Sequence, residues 1–427
     1  MTQYRSNSIC DSVTFHSIKD TRFKTMRMSV HFLIPLEQKS AAANALLPFL
    51  LTRACKDYPD YTALSKRLAE LYGASVSAEV GKMGDVQVLT LTAVGIADRY
   101  CFGGEQISAE LAALLCQMVF EPPFDEDGNF RQEDFRQEKR QTLENIEAEF
   151  NDKRSYAKLR CEQIMCADEP YGIGRYGTKE DVTALTREEL KAAWESLIRS
   201  ARVEVMVSGN CEPEAAAEDF RKAFQAQNRA PRNDFDTKVV LQAGEVKDIT
   251  EPMQVAQSKL VMGFRTGTQP DTPETMQMRL MCAMLGGTPH SKLFLNVREK
   301  LSLCYYCSSQ YNTQKGIMLI QSGVETKNME AAKTEILKQL AEMQAGNFTE
   351  EEMISAKLSV SNSYRTVGDY LSGMEQWYLG QVFRKDVVTP EDSVKELQAV
   401  TRQQVIDAAN RVTLDTIYRL AGSEGNA

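Results

Sequence analysis

The sequence predicts an α+β protein of two tandem homologous domains, each a mostly antiparallel sheet covered by helices. Three observations carry that expectation. The chain has 427 residues, room for two or three domains. Its composition is that of a folded protein, with 43% hydrophobic and 26% charged residues, and its 24 Gly and 13 Pro are scattered without period. Above all, its two halves repeat one another, and self-similarity of this kind decides architecture before any motif does.

The repeat runs element by element. Residues 26–35 (Met-Arg-Met-Ser-Val-His-Phe-Leu-Ile-Pro) read as a strand, and residues 258–266 (Ser-Lys-Leu-Val-Met-Gly-Phe-Arg-Thr) as its copy. A helix follows each, over about 40–55 and about 272–285; in the second, Met278, Met281, Cys282 and Leu285 form one apolar stripe. Residues 67–79 then align without a gap on 297–309, each a helix end running into a strand. The constant offset continues through a turn into the strands 86–92 and 316–322, so a hairpin stands in each half. Two further helices close each copy, 104–119 with 131–150 and 328–345 with 349–366, the last opened by the capping signal Thr349-Glu-Glu-Glu352. Val203-Glu-Val-Met-Val-Ser-Gly-Asn210 reads as the last strand of the first domain. The polar, Pro-containing stretch Asn228-Arg-Ala-Pro-Arg-Asn-Asp-Phe235 reads as the join. The expected division is therefore 1–220, a linker over 221–250, and 251–427.

Composition excludes several functions. With 50 basic against 59 acidic residues, a net of −9, the chain lacks the positive charge that nucleic-acid binding demands. Its longest apolar run, residues 45–51, contains Pro48 and falls far short of the ~20 residues that span a bilayer. Residues 1–15 are polar and lack the apolar block of a secretory signal. The expectation is a cytoplasmic protein with no nucleic-acid or membrane partner, whose ten cysteines are mostly reduced core residues.

The residues that point further are Leu293-Phe-Leu-Asn-Val-Arg-Glu-Lys-Leu-Ser-Leu-Cys-Tyr305 after the loop Leu285-Gly-Gly287, with Pro170-Tyr-Gly-Ile-Gly-Arg-Tyr-Gly-Thr178 and Leu185-Thr-Arg-Glu-Glu-Leu190. Through them, and over nearly its whole length, the chain resembles the insulinase-type (M16) peptidase family, whose smaller members use two such domains as half of a clamshell chamber. Active members hold zinc with a His-x-x-Glu-His motif on the first helix and a further Glu downstream. This chain has three histidines, His16, His31 and His290, and none stands four residues from another. Measured back from Tyr72-Gly73, the motif falls near Leu47-Pro-Phe-Leu-Leu51, so the resemblance implies a degenerate site at Leu47, Leu50 and Leu51 that binds no metal. Glu144 and Glu147, on the helix matching the downstream ligand, read as a solvated face. The family also presents an Arg and a Tyr seven residues apart to the substrate carbonyl; here they match Arg298 and Tyr305, with Tyr306 as the neighbouring candidate.

The resemblance thus implies a non-catalytic subunit with no cofactor of its own. It would bind peptide and form a heterodimer with a zinc-bearing M16 homologue, like the metal-less bacterial members, some of them associated with modification of elongation factor P. The rival readings are a structural or assembly subunit that takes no part in cleavage, and an independent hydrolase using unrecognised residues. Cys304-Tyr-Tyr-Cys307 has CxxC spacing, but an odd offset on a strand sends its two thiols to opposite faces, which argues against redox or metal use. The loop at 286–291 lacks the ending of a phosphate-binding loop and reads as a chamber lining.

Overall fold

The computed structural model describes residues 3–422. They form two compact units that are not separated by one cut in the chain. The first comprises residues up to Glu147 with Ile173–Asp236 and Gly368–Phe383; the second comprises Ala148–Gly172, Thr237–Val367 and the chain from Arg384 on. Each unit therefore borrows a segment from the other half of the sequence. The expected linker over 221–250 is structured at both ends: Pro213–Gln225 is a helix whose Phe220 and Phe224 lie in the first core, and a strand begins at Lys247.

The first unit is built on a six-stranded sheet. Its strands are β1 (Gln3–Cys10), β2 (Val13–Lys19), β3 (Thr25–Pro35), β4 (Ser75–Met83), β5 (Val86–Ile96) and β6 (Arg202–Gly209), in the spatial order β1-β2-β6-β3-β5-β4. All pairs are antiparallel except β2 with β6. The β1–β2 hairpin has no counterpart in the sequence reading, because β1 is an exposed edge strand whose polar residues show no apolar alternation. On β3 the period-2 pattern puts Met26, Met28, Val30, Phe32 and Ile34 into the core beneath the helices. The opposite row, Arg27, Ser29 and His31, is covered by the borrowed helix Leu371–Leu379, an addition to the expected one-sided cover. Its buried Glu375 accepts from Arg27 Nε and Ser29 Oγ, both at 2.8 Å, and lies 3.2 Å from His31 Nε2.

The second unit repeats the plan on β7 (Lys247–Pro252), β8 (Ser258–Arg265), β9 (Cys304–Asn312), β10 (Ile317–Val324) and β11 (Thr413–Ala421), in the order β7-β11-β8-β10-β9. Here β7 and β11 are parallel and the other pairs antiparallel. The helix Pro273–Cys282 continues into the π-helical segments Ala283–Gly287 and Leu293–Lys300 on one side of this unit. The borrowed helix Lys153–Met165 covers the other side. Gly263 permits its close approach, since a Cβ there would stand 2.7 Å from Met165 Sδ. The repeat persists in the backbone: Tyr72 and Ser302, matched by the sequence alignment, both take left-handed φ, at 58° and 49°.

Candidate functional site

The residues matched to zinc ligands lie on the helix Gln38–Leu51, which is apolar nearly all round because it is buried nearly all round. Leu47 and Leu51 are fully buried and Leu50 is 5% exposed, all within the first core. Alkyl side chains offer no lone pair to a cation. Glu144 and Glu147 lie on the helix Gln132–Asn151 with half-exposed side chains, paired with Arg140 at 3.7 Å and Lys179 at 2.8 Å, a solvated face. The histidines are far apart in role. His16 Nε2 lies 2.7 Å from buried Glu204, His31 hydrogen-bonds Ser29 and Thr90, and His290 is exposed in the loop after Gly287. Among the described residues, no group of three His, Cys, Asp or Glu side chains is placed to hold a metal ion.

Arg298 and Tyr305 sit on adjoining pieces of the second unit, the π-helical segment Leu293–Lys300 and the edge strand β9. Val297 anchors that segment in the interior, which turns Arg298 outward. Its guanidinium rests over the Phe294 ring, 4.7 Å from the centroid, and pairs loosely with Glu299 at 3.6 Å, beyond hydrogen-bond length. Tyr305 is 62% exposed. Tyr306, by contrast, is folded onto its own sheet between Gly323 and Arg154, whose guanidinium lies 4.3 Å from its ring centroid. Burial pushes the Tyr306 hydroxyl up to about 12. Of the two adjacent tyrosines, Tyr305 is the one presented to solvent, with Arg298 on the segment that packs against its strand.

The strand departs from the expected register at this point. β9 pairs with β10 from Asn312 opposite Ile317 to Tyr306 opposite Gly323, but Cys304, not Tyr305, stands opposite Val324. Tyr305 is the extra residue of a β-bulge. The bulge overturns the expectation for the CxxC pair: Cys304 and Cys307 are both buried and lie on one face, opposite Val324 and Ser322 of β10. Period-2 reasoning cannot see a bulge, which adds one residue without changing composition. The glycine loop also serves packing: a Cβ on Gly286 would lie 2.7 Å from both Leu293 Cδ1 and Ser309 N. No sequence signal marked the polar cleft of about 500 Å³ at the turn of the β9–β10 hairpin, lined by Lys158, Arg279, Asn312 and Gln314 among others.

Comparison with known proteins identifies the family and the fold. Residues 184–360 match the family model described as the peptidase M16 inactive domain. The chain is 31% identical over 417 residues, 97% of its own length and 96% of the relative's, to a Bacillus subtilis protein named probable inactive metalloprotease YmfF. A conserved protein from Enterococcus faecalis superposes with a TM-score of 0.91 at 28% identity, covering 99% of this chain and all of that one. The structure of a peptidase M16 inactive domain from Pseudomonas fluorescens shares the fold at a TM-score of 0.77 and 17% identity, over 100% of this chain and 99% of that one. On the strength of the repeat, the two sheets and this likeness over nearly its full length, the chain belongs to the M16 peptidase family.

Proposed function

We propose that the chain is a cytoplasmic, non-catalytic subunit of an M16 metallopeptidase complex, which binds peptide and lends Arg298 and Tyr305 to a separate zinc-bearing homologue. The observation that carries this reading is the contrast between two positions. At the positions that the resemblance matches to the metal ligands, Leu47, Leu50 and Leu51 are buried; at those it matches to the carbonyl-binding pair, an arginine and a tyrosine are exposed on adjoining elements. A core leucine needs only to fill space, but solvent-facing Arg298 and Tyr305 contribute little to packing, and their donors suit a peptide carbonyl or its developing oxyanion. The name of the Bacillus subtilis relative supports the inactive half of the reading. Zinc held by the partner would polarise the scissile carbonyl, and this chain's part would be to orient the peptide and share the charge.

The test is kinetic. In a purified complex with a zinc-bearing homologue, Arg298→Ala and Tyr305→Phe are expected to slow peptide cleavage about ten-fold or more. One oxyanion donor is commonly worth about 10²–10³ in turnover, and a carbonyl also polarised by zinc depends less on each. Lys300→Ala, which removes an exposed charge from the end of the same segment, controls for electrostatics and should leave turnover unchanged. Full turnover by both site variants in complexes shown by light scattering to be intact would refute the shared site. Failure of the two chains to associate at micromolar concentration would refute the complex.

A further inference from the structure

The bulge in β9 is not required by the fold. In the homologous hairpin of the first unit, β4 pairs with β5 in unbroken register from Ser75 opposite Val94 to Met83 opposite Val86. In the second unit the extra residue, Tyr305, sets the three-residue step from Cys304 to Cys307 against a two-residue step of β10, from Val324 to Ser322. Two residues of strand rise about 6.7 Å, so the Cα atoms of the two cysteines stand at about that spacing. Without the bulge the step would be about 10 Å and the thiols would point apart. A disulfide spans about 4.4–6.8 Å between Cα atoms. The bulge therefore brings the pair just inside the range that a disulfide can close.

We propose that Cys304 and Cys307 are a reversible dithiol–disulfide site, oxidised by a hydroperoxide and restored by a cellular thiol. Both side chains lie on one face of the edge strand, 9% and 4% exposed. Cys304 stands opposite Val324 and Cys307 opposite Ser322, two residues apart on β10, so the two thiols point to the same side of the sheet. The neighbouring Cys307 thiol lowers the Cys304 pKa against the opposing effect of burial, helped by Ser322 and by the Arg298 guanidinium, while Cys304 and burial together raise Cys307. The other cysteines whose thiols are displaced, among them Cys116, Cys161, Cys166 and Cys211, are raised by burial, which marks Cys304 as the attacking sulfur. In the reaction, the Cys304 thiolate attacks one peroxide oxygen, the O–O bond breaks, a sulfenic acid forms, and the departing alkoxide or hydroxide takes up from solvent the proton that Cys304 gave up on ionising, leaving as alcohol or water. The Cys307 sulfur then attacks Cys304 Sγ, the S–O bond breaks, and the hydroxyl departs as water with the Cys307 proton. Two thiols are oxidised and one peroxide is reduced. A small oxidant suits a pair this buried, and a disulfide confined to oxidising episodes suits a reducing compartment. This inference does not depend on peptide binding.

The test uses the full chain. Reduced protein is treated with hydrogen peroxide, quenched with catalase, denatured, alkylated and digested with trypsin, and the peptide 301–315, which contains both cysteines, is weighed. Expected is a peptide lighter by two hydrogens and refractory to alkylation, returned to the doubly alkylated form by dithiothreitol, while the remaining cysteines stay alkylatable. In Cys307→Ser the sulfenic acid has no resolving thiol, so dimedone labelling of Cys304 should appear in place of the linkage. A doubly alkylated 301–315 peptide at peroxide levels that already oxidise exposed methionines would overturn the proposal. So would sulfinic acid on Cys304 with Cys307 intact, or a Cys307→Ser protein whose Cys304 takes no dimedone.

Discussion

Replacing Lys315 by Met should destabilise the second unit by about 3 kcal/mol. Lys315 is fully buried; its Nζ lies 2.8 Å from Glu169 Oε2 and donates to the Lys238 carbonyl at 2.7 Å. Glu169 is also held by Arg265, 2.7 Å from Oε1, and Arg265 in turn donates to Asp415 at 2.8 Å. The four side chains form a buried cluster of two cations and two anions. Met fills most of the lysine's volume but leaves the cluster one negative charge in excess. Removing one partner of a buried pair costs about 3–5 kcal/mol. The lower end applies, because Arg265 still neutralises the other oxygen of Glu169. For a unit near 200 residues, 3 kcal/mol lowers Tm by about 6–12 °C. The two tryptophans, Trp194 and Trp377, both lie in the first unit, so far-UV circular dichroism in urea should show the loss while tryptophan fluorescence holds its midpoint.

A pH series separates charge from packing. Burial alone would raise the Glu169 pKa, but hydrogen bonds and charges from Lys315 and Arg265 outweigh it and hold the group below its ordinary value. A lowered folded-state pKa contributes stability above the unfolded value, near 4.3, and loses it as pH falls through the folded value. The penalty of Lys315→Met should thus be full at pH 7 and shrink as pH falls into the acidic range, because Glu169, without the lysine, takes up its proton at a higher pH in the variant than in the parent. Adding Glu169→Gln should recover stability to within about 1 kcal/mol of the parent, since both charges then leave together. A loss under about 1 kcal/mol, or an equal penalty at neutral and acidic pH, would refute the argument from an uncompensated charge.

Two further outcomes follow from the packing. Gly323→Ala would place a Cβ 2.4 Å from Tyr306 Cε1 and 2.7 Å from Gln257 Oε1, so the ring must move off the sheet; a cost of about 1–3 kcal/mol is expected in urea unfolding, and an unchanged midpoint would mean the ring yields freely. Because Leu47, Leu50 and Leu51 fill the core, dialysed protein should carry no stoichiometric zinc and its Tm should not respond to a chelator; one zinc per chain by elemental analysis would contradict this.

Local periodicity and the repeat made most of the architecture legible. The strands β3, β5, β6, β8 and β10 stand where alternating or continuous apolar runs placed them, because their side chains are buried against helices. The polar edge strand β1 carries no such signature. Neither exchanged helix could be assigned to its unit, since Glu375 and Met165 look like ordinary helix residues until their distant partners, Arg27 and Gly263, are known. At the candidate site, spacing and family likeness point to Arg298 and Tyr305, which the fold leaves exposed on adjoining elements, and to Leu47, Leu50 and Leu51, which it buries. The pairing of Cys304 with Cys307 was misread because register belongs to two strands together and cannot be found in one.

The exchanged helices also impose a timetable on synthesis. The sheet of the first unit has all its strands once β6 is made, yet the cover for Arg27, Ser29 and His31 is encoded at 371–379, beyond most of the second unit. A ribosome adding about 5–20 residues per second needs on the order of ten seconds to cross the intervening stretch. Throughout that interval the row that Glu375 will cover faces solvent or a chaperone. The second unit waits for no one: its borrowed helix at Lys153–Met165 has left the ribosome before β8 is read, so it can close as soon as β11 emerges. A chain arrested at mid-length is therefore exposed on two sides at once, with an open sheet in the first unit and an orphan helix waiting for a sheet that does not yet exist.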